Sequence, residues 1–209
     1  MRKVILLLAI FSISLASFSQ EGDEIRTLMS PGNAIGAYGT LTMDYSQIDE
    51  RDALSFGVKG GMILGHMVGI GISGAGFFND SRFDASLGRQ VSIAGGYGGF
   101  FFEPILMPKM PVHISFPVLV GAGGLAVVTI TEEDNFWEEN LHSEASDAFM
   151  IIQPGIEVEL NVTKFFRFAL GGYYRYTSNI DIESNFEYSL PTDVLRGFSA
   201  GVAFKFGKF

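Results

Sequence analysis

The sequence predicts an all-β fold: an eight-stranded antiparallel up-and-down transmembrane β-barrel behind a cleaved signal peptide. Three observations point there. Apolar and small or polar residues alternate with period two in about eight segments of roughly 10 to 14 residues, close to the length a tilted strand needs to cross a bilayer. A short apolar run after Arg2 and Lys3 opens the chain. The connections between the alternating segments are short and long by turns.

The opening segment comes first. Residues 4–16, VILLLAIFSISLA, follow two cations and precede SFSQ, whose Ser17 and Ser19 have the spacing a signal peptidase accepts. The run falls short of the roughly 20 residues of a spanning helix, so cleavage after Ser19 is expected rather than a retained anchor. The expected organisation is a signal peptide over 1–19, a short segment over 20–33 and a barrel over 34–209.

The strands follow in order. AIGAYGTLTMDYS sets Ile35, Ala37, Leu41, Met43 and Tyr45 against Tyr38, Thr40, Thr42 and Asp44. ALSFGVKGGMIL turns Lys59 to its glycine-rich face, and MVGIGISGAGFF alternates likewise. In VSIAGGYGGFFFEP both faces carry aromatics, and Tyr97 and Glu103 are expected to point inward. PVHISFPVLVGAGG opposes Val112, Ile114, Phe116, Val118 and Val120 to His113, Ser115, Pro117, Leu119 and Gly121. IIQPGIEVELNV puts Glu157 and Glu159 opposite Ile156, Val158 and Leu160. FFRFALGGYYRYTS sets Arg167 and Arg175 against Phe166, Phe168, Leu170, Tyr174 and Tyr176, and RGFSAGVAFKF sets Lys205 against Phe198, Val202, Phe204 and Phe206.

A face this uniformly apolar suits hydrocarbon, where only a closed sheet leaves no backbone group unpaired. The other face carries Asp44, Glu103, Glu157 and Glu159 together with Lys59, Arg167, Arg175 and Lys205, equal numbers of each sign. Pairing within the lumen is expected, since an unpaired charge there is costly to desolvate.

GH near 65, MPKMP at 107–111 and NVTK at 161–164 read as short turns at one end. DERD at 49–52 and the stretches near 79–90, 130–147 and 178–193 read as loops at the other. Short periplasmic turns and longer outer loops are the usual arrangement, and an even strand number puts both ends of the barrel on the short-turn side.

Together the leader, the eight alternating segments, the Phe-rich closing strand and Phe209 resemble the small outer-membrane β-barrel proteins of Gram-negative bacteria, the OmpA/OmpX/OmpW-like group without a peptidoglycan-binding domain. The resemblance implies outer-membrane location, contact with membrane lipid and lipopolysaccharide, and insertion by the barrel-assembly machinery. One departure stands out. A terminal aromatic in that group faces lipid, whereas here Phe206 is in phase with the lipid-facing residues and Phe209 is not.

A net charge of −9 without a basic cluster argues against nucleic acid, and zero cysteines remove thiolate metal sites and thiol nucleophiles. GIGISG at 69–74 matches a dinucleotide fingerprint in letters only, because no helical pattern follows it; its glycines are read as room for Tyr38 and Tyr173. His113 and Ser115 share a face, and the pair resembles the His-x-Ser of an outer-membrane lipid A deacylase, but Phe116 stands where that pattern has Asn. The acidic segment 131–147 holds Glu132, Glu133, Asp134, Trp137, Glu138 and Glu139, a candidate partner-binding loop without EF-hand spacing.

The expectation is a non-catalytic barrel with a filled lumen, no cofactor or metal, and a structural or adhesive envelope role. The alternatives are a subunit of an envelope or secretion complex binding through 131–147, a lipid-modifying enzyme, and a narrow conduit for small apolar solutes.

Overall fold

The computed structural model describes residues 35–84, 89–130, 142–181 and 190–209. The chain divides into two compact units, Met1–Gly32 and Asn33–Phe209. The expected signal peptide and the 20–33 segment lie outside the described residues, and the barrel belongs to the second unit.

All regular structure among the described residues is β: β1 (Ile35–Ile48), β2 (Arg51–Leu64), β3 (Val68–Asn79), β4 (Arg82–Asp84), β5 (Arg89–Leu106), β6 (Val112–Ser115), β7 (Val118–Ile130), β8 (His142–Asn161), β9 (Phe166–Thr177) and β10 (Gly197–Gly207). These ten stretches fill eight positions of one antiparallel ring. β4 prolongs β3 along β5, and β6 and β7 share the position between β5 and β8. Phe116 and Pro117 separate those two because proline has no N–H for the ladder. Phe116 N still donates to Pro104 O at 2.9 Å, and Gly155 N to Pro117 O at 2.8 Å.

Pairing of β1 with β10, from Tyr38↔Gly207 to Ser46↔Ser199, closes the ring. Closure satisfies the edges that an open sheet would expose.

The faces follow the alternation of the sequence. Outward residues are exposed and apolar, among them Phe198 at 79%, Phe100 at 75% and Met150 at 69%. Inward residues are buried, and Tyr97 and Glu103 of the ambiguous strand both point in.

At the end bearing turns 65–67, 107–111 and 162–165, the interior carries most of the buried charge, with Ile63, Phe101 and Ile105 buried beside it. At the other, loop end, it is apolar: Ile48, Ala53, Phe77, Ile93, Leu125, Phe149 and Ile151 pack with Ile180, Val194 and Leu195. Ile180 comes from the stretch 178–193 read as an outer loop, and Val194 and Leu195 follow that stretch directly. Its described part folds over the interior, tied by Ile180 N to Thr192 O (2.9 Å) and Arg196 N to Asp193 O (2.8 Å). Apolar side chains in a loop cost least when they cap an existing core.

Two other loop expectations change. DERD is a two-residue turn, with Asp49 and Glu50 both left-handed (φ 57° and 59°), the geometry that matches strand twist in a hairpin. Loop 130–147 is shortened, because β8 already starts at His142.

Inward glycines make room for rings lying along the wall. A Cβ on Gly155 would sit 2.2 Å from Cδ1 of Tyr173, and one on Gly171 would sit 2.3 Å from its hydroxyl. Replacing Gly155 by valine is therefore expected to displace Tyr173 and cost about 1–3 kcal/mol by overpacking. Urea unfolding of the refolded barrel in vesicles, followed by gel mobility, measures the loss.

Candidate functional site: a buried charge cluster in the barrel

Ladder register places three cations on one wall. Thr40 pairs with Lys59 of β2 on one side and Lys205 of β10 on the other, and Lys205 pairs with Arg167 of β9. The side-chain period of two then turns Lys59, Lys205 and Arg167 inward along one line of the ladder. Glu157 and Glu159 of β8 and Glu103 of β5 project from the other wall.

They meet at Lys205. Its Nζ lies 2.6 Å from Glu157 Oε2 and 2.8 Å from Glu159 Oε1, and it also contacts Glu103 Oε1. β10 and β5 stand four ring positions apart in either direction, so this ammonium joins opposite walls. Lys205 is 1% exposed, and Glu157 and Glu159 are wholly buried.

The remaining lone pairs are also used. Tyr38 OH donates to Glu103 Oε2 at 3.1 Å, while Tyr173 OH (2.8 Å) and Lys59 Nζ (3.1 Å) donate to Glu157 Oε1. Ser115 Oγ donates to Glu157 Oε2 at 3.5 Å. Glu159 Oε2 is 3.1 Å from His113 Nε2 and 3.5 Å from Arg167 Nη1. Three carboxylates thus face three permanent cations, a balance that limits the desolvation penalty of burial.

Beyond Arg167 lies Phe209, whose ring centroid is 3.9 Å from the guanidinium carbon. The last residues turn in over the mouth, with Lys208 N donating to Ala37 O at 2.9 Å. This explains the phase of the sequence: Phe206 faces out and stacks on Phe166 at 4.9 Å, while Phe209 leaves the strand for the interior.

Ligand atoms of Glu103, Glu157 and Glu159 lie within 4.8 Å of one another, the spacing of a cation site. The Lys205 ammonium holds that place.

Six of the eight residues expected in the lumen network come together, and two do not. Arg175 sits at the loop end, where Nε donates to Leu195 O (2.8 Å), Nη2 to Ser46 Oγ (3.2 Å), and the guanidinium lies over Phe77. No described carboxylate is within ion-pair distance of it. Asp44 lines a cavity between the two ends. Tyr38, Tyr173, His113 and Ser115 join the cluster; alternation had turned each of them inward, but nothing in the sequence says which inward residues meet across a barrel. Glu132, Glu133, Asp134, Trp137, Glu138 and Glu139 lie outside the described residues.

His113 and Ser115, the pair with an acyl-transfer reading, are tied to Glu159 and Glu157 respectively. Both are buried in the lumen, away from the lipid face.

Solved structures share this architecture. Neisserial surface protein A aligns over 84% of this chain and 97% of its own, with 9% identity and a TM-score of 0.55. The fold is that of a small outer-membrane β-barrel. The N-terminal β-barrel domain of Pseudomonas aeruginosa OprF aligns over 82% of this chain and 96% of its own at 9% identity, TM-score 0.40. Ail, the attachment invasion locus protein of Yersinia pestis, aligns over 84% and 97% at 10% identity, TM-score 0.40. No protein-family model matches the sequence, and no curated protein does.

Glu157 keeps Lys59 and Glu159 keeps Arg167 if Lys205 is lost, whereas Glu103 has no other cation within 4 Å among the described residues. Lys205→Met should therefore cost about 3–5 kcal/mol, the usual penalty for stranding a buried charge. Adding Glu103→Gln should recover much of it by restoring equal charge. Urea midpoints of the two variants and wild type in vesicles provide the check.

Proposed function

We propose that this chain is an outer-membrane barrel with a filled, non-conducting lumen. Its role is structural or adhesive, with its loop end at the cell surface and its turn end in the periplasm. The observation that carries the reading is the inverted polarity of a closed barrel: Phe100, Met150, Ile72 and Phe198 outside, Lys205 and three glutamates inside. Water would not tolerate so large a continuous apolar exterior. An acyl-chain environment favours it.

Eight strands enclose a space just wide enough for side chains to fill. Here the apolar cap around Leu195 occupies one end and the charge cluster with Phe209 the other. The ion pairs serve as ties between opposite walls, and His113 and Ser115, each held by its own carboxylate, are structural rather than catalytic. Membrane lipid and lipopolysaccharide contact the exterior. Phe206 and Phe204 of the closing strand, paired with Phe166 and Phe168 of β9, are the natural contact for the assembly machinery during insertion. The acidic segment 131–147 with Trp137 is the candidate contact for a surface or envelope protein partner.

Membrane fractionation tests the reading. The protein is expected in the outer-membrane fraction, starting at Gln20 by N-terminal sequencing, with unboiled and boiled samples migrating differently on a detergent gel. In planar bilayers it should give no large, steady conductance. Recovery as a soluble periplasmic protein, or a stable open pore, would overturn the proposal.

A further inference from the structure

The turn end of the barrel has an unusual rim. Met107 (67% exposed), Phe165 (63%), Met110 and Val162 stand in the turns themselves, so the apolar exterior continues to the last residues of the wall. Lys109, Lys164 and Lys208 stand among them, all exposed. Turns 65–67, 107–111 and 162–165 and the last two residues contain no aspartate or glutamate.

Backbone contacts gather the three lysines on one arc. Asn161 Nδ2 donates to Pro108 O (3.2 Å) and Met110 O (2.7 Å), and Asn161 N to Pro111 O at 2.8 Å, which ties the turn of Lys109 to the strand end that leads into the turn of Lys164. Gly207 N donates to Phe165 O at 2.9 Å, which joins that second turn to the strand end bearing Lys208. The arc carries surplus positive charge. Inside the lumen Lys59, Arg167 and Lys205 balance Glu103, Glu157 and Glu159, and among the described residues no ion pair involves a rim lysine. The Phe209 carboxylate offsets one of the three.

This composition selects a partner. A lysine between exposed apolar side chains lays its stem along the hydrocarbon and lifts its ammonium to the headgroup level. The exposed methionines and Phe165 call for acyl chains, and the ammonium groups call for an anion just beyond those chains. A phospholipid of net negative charge supplies both in one molecule, whereas a zwitterionic headgroup brings a cation of its own. A soluble acidic protein would leave the apolar side chains facing water.

We propose that this arc is a binding surface for anionic phospholipid of the periplasmic leaflet, with headgroup phosphates on Lys109, Lys164 and Lys208 and acyl chains against Met107, Met110, Val162 and Phe165. The inference rests on the membrane-spanning reading above and adds the lipid class and the residues that select it.

Fluorescence quenching in vesicles tests it. The mature chain with Trp137→Phe and Phe165→Trp has one fluorophore, placed in the arc, and keeps residues 20–33, so that any counter-charge from Glu21, Asp23 and Glu24 enters the measurement. Phosphatidylcholine vesicles receive equal mole fractions of either brominated phosphatidylglycerol or brominated phosphatidylcholine. At low salt the phosphatidylglycerol should quench more, with a relative binding constant of about threefold or more, and the preference should shrink toward unity in 1 M salt, where charges are screened beyond about 3 Å. Glutamine at positions 109, 164 and 208 together should abolish it, and arginine at the same positions should keep it. If the triple glutamine variant shows no heat-dependent gel shift, Lys109→Gln with Lys164→Gln replaces it and should lower the ratio by about half. Equal quenching by both lipids in the folded chain with its lysines would overturn the proposal alone, as would a preference untouched in a folded glutamine variant. No gel shift and no quenching by either lipid would overturn the membrane reading itself, and this inference with it.

Discussion

The interior depends on one lysine. Lys205 enters with the closing strand and places its ammonium among three carboxylates from β5 and β8, whose ligand atoms lie within 4.8 Å of one another. At such separations, in a poorly solvated space, like charges repel by several kcal/mol even at an effective dielectric constant of about 20. The acidic wall is therefore compatible with a narrow barrel only when β10 is in place. Closing the ring and neutralising the lumen are one event, because the strand that completes the β1 ladder also carries the cation.

The same constraint decides what surrounds the cluster. A buried carboxylate has about four lone-pair sites, and an ion pair that leaves some unused recovers little of its desolvation cost. Tyr38, Tyr173, Ser115 and His113 occupy those sites. Two of them are long rings, so the wall beside them must be bare, which accounts for Gly155 and Gly171 against Tyr173 and Gly69 against the Tyr38 hydroxyl. Of the glycines that imitate a nucleotide-binding loop in the sequence, Gly69 is thus a consequence of the charge cluster two strands away, whereas Gly71 lies against the β2 backbone at Gly60 and none of them makes room for Tyr173.

Facing was legible from the sequence because a pleated strand turns successive side chains to opposite sides with a fixed period. That period put Lys59, Glu157, Glu159, Arg167 and Lys205 inside, where they are buried or nearly so, while the strand of Glu103 carries aromatics on both faces and its period left the direction open. Height along the barrel was far less legible. Arg167 and Arg175 share a face of one strand but stand eight residues apart, roughly 27 Å at about 3.4 Å per residue. One belongs to the charged tier and the other to the loop-end tier, so equal counts of opposite charge did not translate into four pairs. The cap was illegible for another reason: Ile180, Val194 and Leu195 have no periodicity, and only their apolar character within a polar stretch hinted at burial. The turn at Asp49 and Glu50 lacked the glycine or asparagine that usually marks its geometry.

The end of the chain shows how the strand pattern stops when a different interaction becomes stronger. Up to Phe206 the residues obey the alternation, and the aromatic stays outside in stacking contact with Phe166. Continuing the strand would leave the Arg167 guanidinium at an open mouth without the aromatic cover that Phe209 gives it. Instead Lys208 bonds to Ala37 O, and the Phe209 ring moves over the guanidinium and against Tyr38. A cation over an aromatic face gains about 0.5–2 kcal/mol, more as water is excluded. Gly36 permits this path, since a Cβ there would lie 1.8 Å from Lys208 O. A residue that looks out of phase as part of a lipid-facing strand is in phase with the charge cluster it covers.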